Sequence, residues 1–320
     1  MPAAVLTGIL PGPQSKDTAL HLACKAGRAL CVQMLIEAHA SVDQPTNHGS
    51  TPLSLACVHG QAQCVRLLLD ACARVDQPGS DDASPLHSAC EVGSASCVRL
   101  LLEAAADVNR TAVNGDSPLY IACQEGHSSC VRLLLGQGAA VDLPAINGDT
   151  PLFIACQEGA LSCVRLLLDA AAAVDLAAIN GDTPLHIACQ EGRDACASLL
   201  LAARASINNA EISDGATPLH LASQAGHVEC VRLLIAAGAT INRPTLNGRS
   251  PLYAACLNGN ASCAELLSRA GAALACEAGL ALQAAQSGGN AACTRLLFYR
   301  AEAEAKAAAD QLLAEEEAEA

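Results

Sequence analysis

Apolar and polar positions along this chain alternate in two distinct blocks that return at a fixed beat. Between Asn147 and Asp175 a polar triplet, Asn147-Gly148-Asp149, precedes apolar residues at helical spacing, Leu152, Ala155 and Cys156. After Gly159 comes a second, broader apolar run built on Cys163, Val164, Leu166, Leu167 and Leu168. Asn and Gly tolerate positive φ, so the triplet predicts a turn. Thr150 suits a helix N-cap and Pro151 the first helical position, where no amide hydrogen is needed. A helix of about two turns should start there and end at Gly159, a residue free to adopt the left-handed conformation. The second run predicts another helix, and the breadth of its apolar face means that neighbours cover it on more than one side. Ala173-Val174-Asp175 closes the unit and leads into the next turn.

The same unit recurs. Thr51-Pro52-Leu53, Ser84-Pro85-Leu86, Ser117-Pro118-Leu119, Thr150-Pro151-Leu152 and Thr183-Pro184-Leu185 follow one another at 33-residue steps; Thr217-Pro218-Leu219 comes after 34 more and Ser250-Pro251-Leu252 after a further 33. A period of this length means stacked supersecondary units, each leaving apolar surface that only its neighbours can cover. Thr183-Pro184-Leu185-His186-Ile187-Ala188 and Thr217-Pro218-Leu219-His220-Leu221-Ala222 closely resemble the signature of the ankyrin repeat. The resemblance covers roughly residues 15–298 and implies an all-α solenoid of about nine helix-turn-helix units joined by β-hairpin-like turns. Its end copies depart from the pattern. Asp17-Thr18-Ala19-Leu20-His21-Leu22-Ala23 lacks the proline, and Ala281-Leu282-Gln283-Ala284-Ala285 follows its predecessor by only 30 residues. Residues 1–14 read as an N-terminal extension and 299–320 as an Ala- and Glu-rich helix or tail.

Composition fixes what the core is made of. Hydrophobic residues make up 52% of the chain but aromatics only 2%, with no Trp, so the core must be built from Ala, Leu, Val and Cys. The formal charge is −14, and residues 301–320 carry seven acids against Lys306. An acidic chain with few aromatics lacks the basic footprint that nucleic-acid binding requires. Met1 to Pro11 has no cationic start and does not read as a secretion signal. Longer apolar runs are broken by charge or Gly at repeat spacing, so no membrane-spanning helix is expected, and the expected location is cytoplasmic or nuclear.

Three residue types invite a chemical reading. Nine cysteines share one repeat position (Cys31, Cys64, Cys97, Cys130, Cys163, Cys196, Cys230, Cys263, Cys293) and seven lie seven residues earlier (Cys24, Cys57, Cys90, Cys123, Cys156, Cys189, Cys256). No short C-x-x-C pair exists, and Ser223 replaces the earlier cysteine in one repeat, so both sets read as buried reduced thiols and not as metal ligands or disulfides. His21, His87, His186 and His220 occupy the fourth signature position, which elsewhere is Ser54, Tyr120, Phe153 or Tyr253. A catalytic His would not be exchangeable with Phe, and the ankyrin resemblance implies that this residue ties neighbouring turns together by hydrogen bonds. Arginines form a ladder on the second helix (Arg66, Arg99, Arg132, Arg165, Arg232, Arg295), with Arg66–Asp70, Arg99–Glu103 and Arg165–Asp169 expected to pair at i, i+4. There is no phosphate loop, nucleophile elbow or kinase signature, so no enzymatic activity, cofactor or metal is expected.

The resemblance also implies where a partner sits, since turn tips and the exposed side of the first helix make the contacts in ankyrin proteins. In the middle repeats those positions are Val113, Asn114, Asp116, Gln124 and Glu125; Ile146, Asn147, Asp149, Gln157 and Glu158; and Ile179, Asn180, Asp182, Gln190 and Glu191. Six of them are carboxylates with no base among them, and Val113, Ile146, Ile179 and Leu246 place an apolar residue at each tip. The expected partner is another protein, through a basic or partly apolar segment, bound to a monomeric, non-enzymatic scaffold. Repeats four to six are nearly identical, whereas the first three vary at the same places, Val58-His59 against Glu91-Val92, so the variable end is where specificity is expected. Two alternatives remain open. Ser84-Pro85-Leu86-His87-Ser88-Ala89-Cys90 resembles repeats of ankyrin proteins that carry a SOCS box, the substrate receptors of cullin-type ubiquitin ligases, although nothing after Phe298 resembles the box. The thiols alone would support a redox or metal-binding protein.

Overall fold

The helices form where the caps place them. The computed structural model describes residues 16–79, 81–272, 278–299, 301, 302 and 306. In the fifth repeat Thr150 is extended and accepts a hydrogen bond from the Phe153 amide through its side chain, Pro151 opens the helix Pro151–Glu158, and Gly159 ends it at φ 73°. The second helix, Leu161–Asp169, follows at once and lacks a side-chain cap. Its neighbours repeat this, with first helices such as Pro52–Val58, Pro85–Glu91 and Pro118–Gln124 and nine-residue second helices such as Ala62–Asp70, Ala95–Glu103 and Ser128–Gly136. Isolated helices this short are unstable in water, so packing between repeats holds them.

The core follows the predicted positions, except that Leu166 and Leu168 are only half-buried. Leu152, Ala155, Cys156, Cys163, Val164 and Leu167 are fully buried in the fifth repeat, and the same positions are fully buried in the third, as Leu86, Ala89, Cys90, Cys97, Val98 and Leu101. Each buried Leu contributes about 1.5–3 kcal/mol. The chain divides into two units, Met1–Ala173 with repeats one to five and Val174–Ala320 with the rest. The extension over 1–14 and nearly all of the tail over 299–320 lie outside the described residues.

The turns close without forming ladder strands among the described residues. In six of them one amide reaches the carbonyl four residues on: Thr46 to Ser50, Gly79 to Ala83, Ala112 to Asp116, Ala145 to Asp149, Ala178 to Asp182 and Thr245 to Arg249, at 2.9–3.0 Å. In the seventh repeat the bond runs from Glu211 to Ala216, five residues on, at 2.9 Å. That turn absorbs the single residue by which one step is 34 and not 33.

Within each unit, side chains bind successive repeats together. His21 Nε2 donates to the Ser50 carbonyl at 3.2 Å and His87 Nε2 to that of Asp116 at 3.0 Å. In the second unit His186 and His220 reach Asn209 and Arg249 in the same way. A second ladder was not legible beforehand. Asp43, Asp76, Asn109 and Asp142 each accept the amide of a residue 31 positions on, Arg74, Asp107, Ala140 and Ala173.

Candidate functional site

Each of the three predicted middle tips is held by its own Asn and Asp. The Asp149 amide donates to Asn147 Oδ1 at 3.1 Å, and Asn147 Nδ2 donates to Asp149 Oδ2 at 2.5 Å. The same exchange links Asn114 with Asp116 and Asn180 with Asp182. Successive tips are then joined through the backbone. Within the first unit the amides of Val113 and Ile146 donate to the carbonyls of Asp81 and Asn114, at 3.2 and 3.1 Å; within the second, Ile212 reaches Asn180 at 3.1 Å and Leu246 reaches Asp214. The tips are therefore rigid, yet Val113, Ile146 and Ile179 stay 70%, 68% and 71% exposed.

The structure divides the predicted residues into two kinds. Val113, Asn114, Gln124, Glu125, Ile146, Asn147 and Glu158 are exposed in the first unit, as are Ile179, Asn180, Gln190 and Glu191 in the second, while Gln157 and Asp149 are half-buried. Asp116 and Asp182 are only 9% and 7% exposed. The six predicted surface carboxylates thus need correction: these two aspartates are spent on their own turns, and the exposed acids at these positions are Glu125, Glu158 and Glu191. Sequence reasoning also missed Ile212, an exposed tip residue. It lies 33 residues after Ile179, and counting forward from that residue would have found it; counting back from Thr217 lands on Ser213 because of the longer turn.

A hollow lies in the first unit and toward the variable end. A groove of about 610 Å³ opens between the second, third and fourth repeats. His48 and Ser50 belong to its first turn, Asp81 and Ala83 to the next, and Ala112, Val113, Asn114 and Asp116 to the third. Its floor and sides come from the first helices, through Ser54, Val58, His87, Ser88, Glu91 and Ile121. Only Val113, Asn114 and Asp116 of the predicted set are brought to it. His87 is neutral here: its Nδ1 accepts the Ser84 amide at 3.1 Å, so the proton sits on Nε2, and burial lowers its pKa.

The other chemical candidates resolve as core or outer surface. Cys57, Cys90 and Cys123 are buried and pushed well above the usual thiol range by burial, and Cys24 is pushed up to about 12. Cys163 and Cys230 are shifted down by hydrogen bonds from Cys123 and Cys189, but both are buried. Among the described residues no group of three or more His, Cys, Asp or Glu is arranged to hold a metal ion. The expected pairs Arg66–Asp70, Arg99–Glu103 and Arg165–Asp169 are absent from the ion pairs of the described residues, where Glu229–Arg232 and Glu265–Arg269 do form. The order of the charges accounts for the difference, since an acid N-terminal to its base on a helix is the favoured arrangement and the three expected pairs run the other way. No helix among the described residues is long and apolar enough to cross a membrane.

Comparison with known proteins agrees with this geometry. A family model described as ankyrin repeats (3 copies) matches residues 5–79, 72–145, 130–211, 172–245 and 203–278. Among solved structures, the crystal structure of the ankyrin repeat domain of Bcl-3, described as a unique member of the IkappaB protein family, aligns with 30% identity and a TM-score of 0.60, covering 68% of this chain and 98% of that one. The comparison with curated proteins returns no match.

Proposed function

The chain belongs to the ankyrin-repeat family, and from that premise we propose that it is a non-enzymatic scaffold that holds a partner protein against its turn tips and the exposed side of its first helices. The observation that carries this reading is the pairing of rigid, hydrogen-bonded tips with large exposed aliphatic side chains, Val113 and Ile146 in the first unit and Ile179, Ile212 and Leu246 in the second. Within each unit, apolar tips held in place by hydrogen bonds bind at a reduced ordering cost, and the exposed glutamates, Glu125 and Glu158 in the first and Glu191 in the second, steer a basic partner. On the second helices of repeats two to five the exposed positions carry instead the arginine ladder at Arg66, Arg99, Arg132 and Arg165.

The test contrasts the two faces of one protein. A photo-crosslinking residue placed at Gln124 or Gln157 should capture a discrete partner from the native cell, and one at Arg132 or Arg165 should not. Glu125→Lys with Glu158→Lys should weaken that capture. Equal yields from both faces, or capture indifferent to the charge reversal, would remove the reading.

A further inference from the structure

The groove in the first unit exists because two side chains are cut short where their counterparts are large. The fourth signature position holds His21, His87, Tyr120 and Phe153 in this unit but Ser54 in the second repeat. The fifth holds Leu22, Leu55, Ile121 and Ile154 but Ser88 in the third. Both serines line the same hollow. Where the larger residues occur together, in the fourth and fifth repeats, Tyr120, Phe153 and Ile154 are buried. Ser54 is also engaged, since its Oγ accepts the Thr51 amide at 2.8 Å and donates to the Thr51 carbonyl at 2.9 Å. Its hydroxyl therefore asks nothing of a ligand.

The lining then states what the groove takes. Val58, Val113 and Ile121 supply aliphatic surface. No Lys or Arg lines it, and Arg110, whose charge reaches His87, is bound to Asp82 at 2.7 Å. Of the charged or chargeable groups, His87 is neutral and Asp116 is tied to Asn114. His48 stands exposed at the rim, whereas Asp81 and Glu91 are exposed carboxylates without a cationic partner among the described ion pairs. A volume of about 610 Å³ falls among sites that bury a drug-sized ligand, enough for several residues of an extended segment.

We propose that this groove is a specificity pocket for an extended peptide segment bearing a lysine or arginine beside an aliphatic residue. The aliphatic side chain covers Val58 and Ile121, and the cation meets Glu91 and Asp81. An acidic segment would face uncompensated carboxylates, and a wholly apolar one would bury them without a partner. The inference rests on the scaffold reading, which it deepens by naming the chemistry of the bound segment.

The test uses the full chain and a displayed library of random twelve-residue peptides. Enriched peptides should carry Lys or Arg next to Leu, Ile or Val. A synthetic copy of one should bind about tenfold more weakly to Ser88→Ile and to Glu91→Lys, and more weakly to the native chain as salt rises. Ser88→Ile installs what the next repeat carries at the same position, Ile121, so it fills the groove with a side chain the fold already accepts; Glu91→Lys leaves the shape and inverts the charge. Thermal melting of both variants shows that they are folded. Enriched peptides without a basic residue, or peptides that bind both variants undiminished, overturn the pocket and leave the scaffold standing. A library that yields no binder at all overturns both.

Discussion

Single residues here titrate in opposite senses, and the sign of each follows from what its charged form would lose. His21, His87, His186 and His220 are held neutral, because burial is the largest influence on each and lowers its pKa below the usual 6.5. Protonating Nδ1 would also break the bond it accepts from the capping residue's amide, 3.0–3.1 Å long in all four. Their stabilising contribution is thus complete above the unfolded pKa and is lost as pH falls below it. Glu211 behaves oppositely. Burial, a hydrogen bond with Asp214 and the charge of Asp182 push it up to about 7, so its contribution is complete below the unfolded value and is lost as pH rises through 7. Melting curves from pH 5 to 8 separate the two. Glu211→Gln should match the native chain at pH 5 and melt higher at pH 8. His87→Phe, a residue the fold accepts at Phe153, should melt lower at pH 7, with the gap narrowing toward pH 5. A pH-independent gap in either variant would show that the titrating group is another one.

At the scale of the element, the turns decide which glycines are indispensable. Gly181 sits at φ +89°, and a Cβ there would come within 2.7 Å of both the amide nitrogen and Cγ1 of Ile212, the next tip in the same unit. Gly248 has a comparable φ of +72° but nothing within 4 Å. Backbone strain is common to both, about 1–3 kcal/mol, while only Gly181→Ala must also push the neighbouring tip away. Urea unfolding should rank Gly181→Ala below Gly248→Ala, and equal midpoints would mean that tip stacking contributes nothing. The caps can be tested in the same way. Thr150→Ala removes the bond from the Phe153 amide and should cost about 0.5–2 kcal/mol. These elements were legible because their signals are local: a Thr-Pro start and a Gly stop state where the helix begins and ends. The bonds of the Asp43, Asp76, Asn109 and Asp142 ladder were not, since these residues recur every 33 positions but the backbone amides they accept, 31 residues on, carry no side-chain signature. The groove lay between these cases. Ser54 and Ser88 are visible as departures from the repeat, but that two departures at different positions in different repeats line one hollow is a fact of stacking.

At the scale of the whole molecule the cysteines give the most direct reading of how the chain is packed, because one reagent reports on every repeat at once. Of the described cysteines only Cys31 and Cys72 are exposed; the others are buried, and none is in a disulfide. Cys31 shares its repeat position with Cys64, which is buried. The difference is that Cys31 belongs to the first repeat, whose second helix has no helix of a preceding repeat against it among the described residues, and Leu30 and Met34 on that helix are exposed as well. A thiol reagent applied to the native protein and mapped by peptide mass should therefore label Cys31 and Cys72 quickly. Cys57, Cys90 and Cys123 should label only on unfolding, since burial blocks access and also suppresses the thiolate that reacts. Cys163 and Cys230 separate these two barriers. Each is buried but shifted toward the thiolate by a neighbouring thiol's hydrogen bond that lasts only while the repeat stays folded, so labelling of these two ahead of the other buried cysteines under mild urea would show that the reagent reaches the folded repeat. If instead they follow the others in step, opening governs the rate entirely and all the repeats of a unit unfold as one.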